Sequence, residues 1–209
     1  MTRASVQDAI ARGNGRAAAV LGGWCDAYRA DGALAPLAAA RRYLRLRAAF
    51  FPEDGRAGSD GVWRGVFDSA YTQVGDYLAG DGVVWFVAVQ APMVPVLCVR
   101  TNRVLRFSRP ATEGLAGVGR YGGVDRGAAV TVLEEWPGCV LSARGGGVQA
   151  GLPGDAGDAA WHVALPVLPE GVELRAGDLM RDEVGRAGVV VAAEMSALGW
   201  RLLVRQAAG

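Results

Sequence analysis

His162 is the only histidine in the chain, so a Ser-His-Asp or Cys-His mechanism would have to be built on it. It lies between Trp161 and Val163 in a run that alternates like a strand, with no G-x-S-x-G elbow to supply a nucleophile. It therefore reads as a structural or surface histidine. Glu134-Glu135 and Asp182-Glu183 pair carboxylates of the type used in acid–base work. Adjacent strand residues point to opposite faces, however, so neither pair holds its two carboxylates together, and both read as turn or rim charges. Cys25, Cys98 and Cys139 are widely spaced and form no C-x-x-C. That pattern supports neither a disulfide framework nor a zinc site, and predicts buried free thiols.

The glycine-rich stretches raise the question of phosphate binding. Gly13-Asn14-Gly15-Arg16-Ala17-Ala18 matches G-x-G-x-x-A, but the dinucleotide fingerprint needs a strand immediately before it. Helix-like sequence stands there instead, and the two glycines predict an interrupted or kinked helix. Ser142 to Ala159 is rich in glycine, yet a phosphate loop requires a lysine and the chain contains none. Glu53, Asp54 and Asp60 lack the spacing and terminal glutamate of an EF-hand. No catalytic, cofactor-binding or metal-binding set is expected, and the chain reads as a non-enzyme.

The elements must then be read for what they build. The 209 residues are 51% hydrophobic and 21% charged, enough to bury a real core without metals or disulfides. The 31 glycines imply many turns and hence many short strands. A net charge of +1 provides no global field toward nucleic acid or anionic membrane. All 22 basic residues are arginine, as a GC-rich coding genome favours, and arginine also suits interfaces. The N-terminal residues show no signal peptide, and no window reaches the roughly 18 apolar residues of a membrane span. Synthesis in the cytoplasm is expected.

Ser5 is a candidate N-cap for a helix over about residues 5–21, with Val6, Ile10, Ala17, Val20 and Leu21 on one face. Trp24 to Arg29 suits a strand. Residues 37–51 are ambiguous, because alanine and leucine favour helix while Tyr43-Leu44-Arg45-Leu46-Arg47 alternates. Residues 52–61 read as an exposed loop. Strands are expected from Trp63, at 83–90 as a run buried on both faces, at 96–100, and at 104–108 closing a meander or small barrel. A strand at 128–133 ends at Glu134-Glu135-Trp136-Pro137, and further strands follow at 163–167, 189–193 and 200–205. Tryptophan, then Gly-Asp, then an apolar strand, then a Val-Arg ending occurs twice, with Gly75-Asp76 and Gly177-Asp178 as the matching turns. In each turn glycine tolerates the required φ and aspartate accepts backbone N–H groups.

The expected fold is mainly β with an N-terminal helix and two small antiparallel β-barrel or sandwich modules. A duplication is the more economical account of their order. The parts are an N-terminal segment at 1–61, a first β module at 62–110, a glycine-rich linker with a short strand at 111–160, and a second β module at 161–209.

The run VFDSAYTQVGDYLAGDGVVWFVAVQAPMVPVLCVRTNRVLRFSRP resembles structural proteins encoded in the head-to-tail modules of tailed bacteriophages and prophages of GC-rich proteobacteria. So do GRAAAVLGGWCDAYRA before it and the stretch from Trp161 to Gln206 after it. The Gly-Asp, turn, apolar-strand pattern is similar to the small β-barrels of head-closure, or stopper, proteins. The leading helix and the doubled β block depart from a minimal stopper. The resemblance implies a virion protein made in the bacterial host cytoplasm. It would be a ring-forming homo-oligomeric subunit of the neck or proximal tail that touches portal, adaptor or tail tube. It implies no membrane partner, and DNA in a channel is a contact the net charge does not indicate. The loops at 110–127 and 142–159 are the candidate interfaces, with Arg120, Tyr121, Asp125, Arg126, Arg144 and Asp155 as contact residues. The competing readings are a carbohydrate- or receptor-binding module of a phage tail with Trp136 or Trp161 as an exposed stacking platform, and an enzyme dependent on His162.

Overall fold

The computed structural model describes residues 3–53, 61–110, 129–143 and 159–207, with side chains from residue 6 onward. Among the described residues one α-helix, α1 (Arg3–Leu21), precedes twelve strands. Six of them, β1 (Gly23–Tyr28), β2 (Arg42–Pro52), β3 (Val62–Phe67), β4 (Tyr77–Gly80), β5 (Val83–Val89) and β6 (Val96–Arg100), close an antiparallel barrel in the order β1-β2-β3-β6-β5-β4. The other six are β7 (Arg103–Pro110), β8 (Ala129–Ser142), β9 (Ala160–Leu165), β10 (Leu179–Asp182), β11 (Ala187–Ser196) and β12 (Gly199–Gln206). They close a second barrel in the same relative order, β7-β8-β9-β12-β11-β10. Closure leaves neither sheet with an open edge.

The duplication extends to the register. Trp63 on β3 faces Cys98 on β6, and Trp161 on β9 faces Val204 on β12. The ladder between β5 and β6 slips between Val87 and Val89, and that between β11 and β12 slips between Val190 and Ala192. These slips fall at equivalent positions, because Val87 and Val190 each donate their N–H to the aspartate carbonyl of their own Gly-Asp turn. By the same registers Val99 stands where Arg205 does, so the two Val-Arg endings are displaced by one residue.

The module boundaries differ from those expected. The first barrel begins at Gly23 rather than 62, because β1 and β2 supply a third of its wall. Residues 103–110, expected to close the first module, pair with β8 and β10 and open the second barrel. Only Thr101 and Asn102 separate the two. Nor does β8 end at Glu134; it continues to Ser142, with Glu135 at φ +57° in an irregularity where the pairing with β7 shifts.

The ambiguous segment resolves as the strand β2, preceded by a short 3-10 turn at Ala39–Arg41. Leu46 and Ala48 enter the interior of the first barrel, while Arg45 on the alternate register is exposed. Only the period of two separates apolar from charged side chains in this way, and burial overrides the helix propensity of alanine and leucine. In the first barrel, Cys25, Ala27, Phe67, Leu78, Val87, Val96 and Cys98 complete the buried cluster.

Helix α1 packs on β2 and β3. It is continuous through Gly13 and Gly15, contrary to the expected interruption, and it starts ahead of Ser5. The face expected to be buried is also wrong. Ile10, Val20 and Leu21 are exposed, and the residues fully covered are Ala11 and Ala18. Small residues two turns apart let the helix lie close to the barrel, and a Cβ on Gly15 between them would stand 3.1 Å from the Asp68 Cβ. At the end of the helix Gly22 donates its N–H to Ala18 (2.8 Å), and a side chain there would collide with the Ala48 carbonyl.

Candidate functional site

The two Gly-Asp turns are built alike, atom for atom. Gly75 and Gly177 have φ of +96° and +93°, the left-handed region that glycine occupies without penalty. Gly75 N–H donates to the Val87 carbonyl (2.9 Å) and Gly177 N–H to that of Val190 (2.7 Å), extending the ladder past the strand. The aspartates are buried, Asp76 at 0% and Asp178 at 1% exposure. Each accepts a backbone N–H from three residues earlier, Gln73 or Arg175, at 2.8 Å. That much agrees with the sequence reading.

What the sequence reading missed is the partner. Arg29, just after β1, forks onto Asp76 with both bonds at 2.8 Å. Arg109 on β7 forks onto Asp178 at 2.8 and 2.9 Å. The hydrogen bond to the paired carboxylate, Asp76 or Asp178, is the largest influence raising each arginine above its ordinary pKa. Each fork closes its barrel where the last strand in order meets the first. The two partners are 47 residues apart in one repeat and 69 in the other, so no fixed spacing betrays them. A repeated arginine at the end of each repeat's opening strand was the available signal. In the first barrel Tyr43 adds its hydroxyl to Asp76 (2.7 Å) and its ring lies 4.6 Å from the Arg29 guanidinium. Burial, and then the bond to Asp76, push the Tyr43 phenol well above its usual range. With three or four donors on each carboxylate, these buried aspartates are occupied as structural acceptors.

The barrels meet through a continuous apolar seam. Tyr77, Phe86, Ala88 and Val99 on the outside of the first barrel join the core of the second. The rings of Tyr77 and Trp136 stand edge to face at 6.0 Å, and the Tyr77 hydroxyl donates to the Pro137 carbonyl at 2.8 Å. Trp136 is fully buried and its indole N–H donates to Ala33 (2.7 Å), in the β1–β2 connection. Leu34 and Glu134 form a parallel bridge there, with bonds of 3.1 and 2.9 Å. Asn102, at the crossing point, donates to the Val140 carbonyl and accepts the Val140 N–H. The two barrels are therefore one welded body.

The other candidates are scattered by this arrangement. Trp136 and Trp161 (7% exposed) are core residues, which removes both expected stacking platforms. Asp182 is no rim charge: it is buried, capped by the backbone N–H groups of Val184 and Arg186, and lies near Arg103 and Arg186. Glu183 accepts the Val104 N–H at 2.7 Å. His162 is exposed on the outer face of β9, opposite Leu141 and Leu203, at a cavity of about 260 Å³ between the barrels. Cys139 also lines that cavity, but burial pushes its thiol up to about 11, so it offers no thiolate to pair with the imidazole. All three cysteines are free and buried. Among the described residues no group of three or more histidine, cysteine, aspartate or glutamate side chains could hold a metal ion, and no helix is long and apolar enough to cross a membrane. Arg120, Tyr121, Asp125, Arg126, Arg144 and Asp155 lie outside the described residues.

Comparison of the chain with protein-family models, with curated proteins and with solved structures finds no match.

Proposed function

We propose that this chain is a structural subunit of a tailed-phage particle that assembles with copies of itself into a ring at the head-to-tail junction or the proximal tail. The observation that carries this reading is the welded pair of duplicated barrels, in which Asp76, Asp178 and Trp136 are spent on holding the fold. Two barrels packed through a shared apolar core suit a joint between two larger assemblies. Apolar side chains left on its surface support contacts with neighbours. Met93 and Val94 sit on the β5–β6 turn at 65% and 50% exposure, and Val184 on the β10–β11 turn at 60%.

The test is to locate the chain in purified particles by electron microscopy, alongside native mass spectrometry of the isolated protein with and without portal. The proposal expects density for both barrels repeated around the tail axis, and rings alone or on the portal. Absence of the chain from particles overturns it.

A further inference from the structure

We propose that the surface formed by α1, β1 and β2 binds single-stranded nucleic acid, with arginines taking successive phosphates and Trp24 receiving a base. The near-neutral total charge conceals an uneven distribution: residues 1–52 hold eight arginines and three aspartates. The fold gathers several of these arginines on one side. Arg12 and Arg16, one helical turn apart on α1, line an open, shallow depression of about 450 Å³ together with Trp24, Arg47 and Asp68. Arg45 lies next to it, with its guanidinium 5.2 Å from the centre of the Trp24 ring, and that of Arg47 is 5.4 Å away.

Three features point to this ligand. Trp24 is 51% exposed, whereas the other five tryptophans, all among the described residues, are buried or half-buried. A large aromatic ring held at the surface becomes a stacking platform once a base displaces a guanidinium that lies over it, Arg45 or Arg47, onto a phosphate, and every base offers such a face. Arg12 and Arg16 are both exposed and have no carboxylate partner among the described residues, so their charge is available. The acidic groups nearby are partly engaged: Asp26 with Arg42 (3.3 Å) and Arg45 (3.8 Å), and Asp68 with the Ala70 N–H (3.1 Å). A duplex would leave Trp24 without a base face, whereas a single strand can lie along the open surface. This inference stands independently of the particle assignment.

The experiment is a fluorescence-anisotropy titration of the full chain with a fluorescein-labelled oligo(dT) of about 20 nucleotides, long enough to span a site of this kind, over a range of salt. Three to four phosphate contacts predict a log–log salt slope of about −2 to −3. R12Q/R16Q/R45Q should flatten that slope by about 2 and weaken binding at least roughly tenfold at low salt. W24A should weaken binding roughly tenfold with the slope unchanged. R181Q/R201Q/R205Q, which removes three exposed arginines of the second barrel, should bind like the parent chain. Thermal melts confirm that each variant is folded. No binding at the lowest salt, equal losses in the control variant, or tighter binding to phosphatidylglycerol–phosphatidylcholine vesicles than to the oligonucleotide overturns the proposal.

Discussion

Replacing Arg109 with methionine removes the guanidinium while keeping the aliphatic stem, and the duplicated fold supplies its own internal control in Arg29→Met. In the parent chain Asp178 receives two bonds from Arg109 and one from the Arg175 N–H, at 2.8–2.9 Å. R109M leaves a carboxylate of 1% exposure with the single backbone donor. Breaking a buried pair in this way costs about 3–5 kcal/mol. Water reaches the gap, since the Arg109 side chain is 35% exposed, so the lower end, about 3 kcal/mol, applies. In R29M, Asp76 keeps both the Gln73 N–H and the Tyr43 hydroxyl. A hydrogen bond to a charged group contributes about 1.5–3 kcal/mol, so R29M should cost only about 1–2 kcal/mol. At roughly 2–4 °C per kcal/mol for a chain of this size, the melting temperature should fall by about 6–12 °C in R109M and about 2–8 °C in R29M. Urea unfolding at pH 7 measures both losses. An R29M as damaging as R109M, or two variants within about 0.5 kcal/mol of the parent, would refute the reasoning.

Other consequences are simpler to state. Tyr77→Phe strands the buried Pro137 carbonyl and should cost about 1–2 kcal/mol by urea unfolding. Trp136→Phe loses the bond to Ala33 along with packing at the seam, and should cost about 2–4 kcal/mol and raise protease sensitivity of the β1–β2 connection. Gly75→Ala and Gly177→Ala force an alanine to φ above +90° and should each cost about 1–3 kcal/mol, visible as a lower melting temperature. Burial raises Cys25 and Cys139 from 9.0 to about 11, so the folded state is favoured while these thiols are protonated. That contribution is complete below about pH 9 and is lost as pH rises to about 11. Thiol-specific reagents should accordingly label the native chain slowly at pH 8, and fast labelling would contradict the burial.

Much of the strand content was legible because alternation and β-branched runs are local. The strands at 96–100, 189–193 and 200–205 lie where the pattern places them, and 83–89 is covered on both faces because Val87 enters one barrel while Phe86 and Ala88 meet the other. The face of α1 was misjudged for a reason of the same kind: hydrophobicity marks Ile10, Val20 and Leu21, but close approach to a sheet selects Ala11 and Ala18. Tryptophan exposure was misjudged too, since a strand's two faces look alike in sequence until a second barrel covers one of them.

The Gly-Asp turns divide the two sources of information. The sequence by itself determined that the turns exist, that they repeat, and that glycine and aspartate suit them, because φ and short-range N–H acceptance are properties of a few consecutive residues. Only the tertiary structure decided that each aspartate is the buried anchor of an arginine from the opposite end of its barrel, and that β1, β2, β7 and β8 belong to the repeats. It also decided that Trp24 is the tryptophan left at the surface among arginines. Barrel closure joins residues far apart along the chain, and nothing local in the chain records which ends will meet.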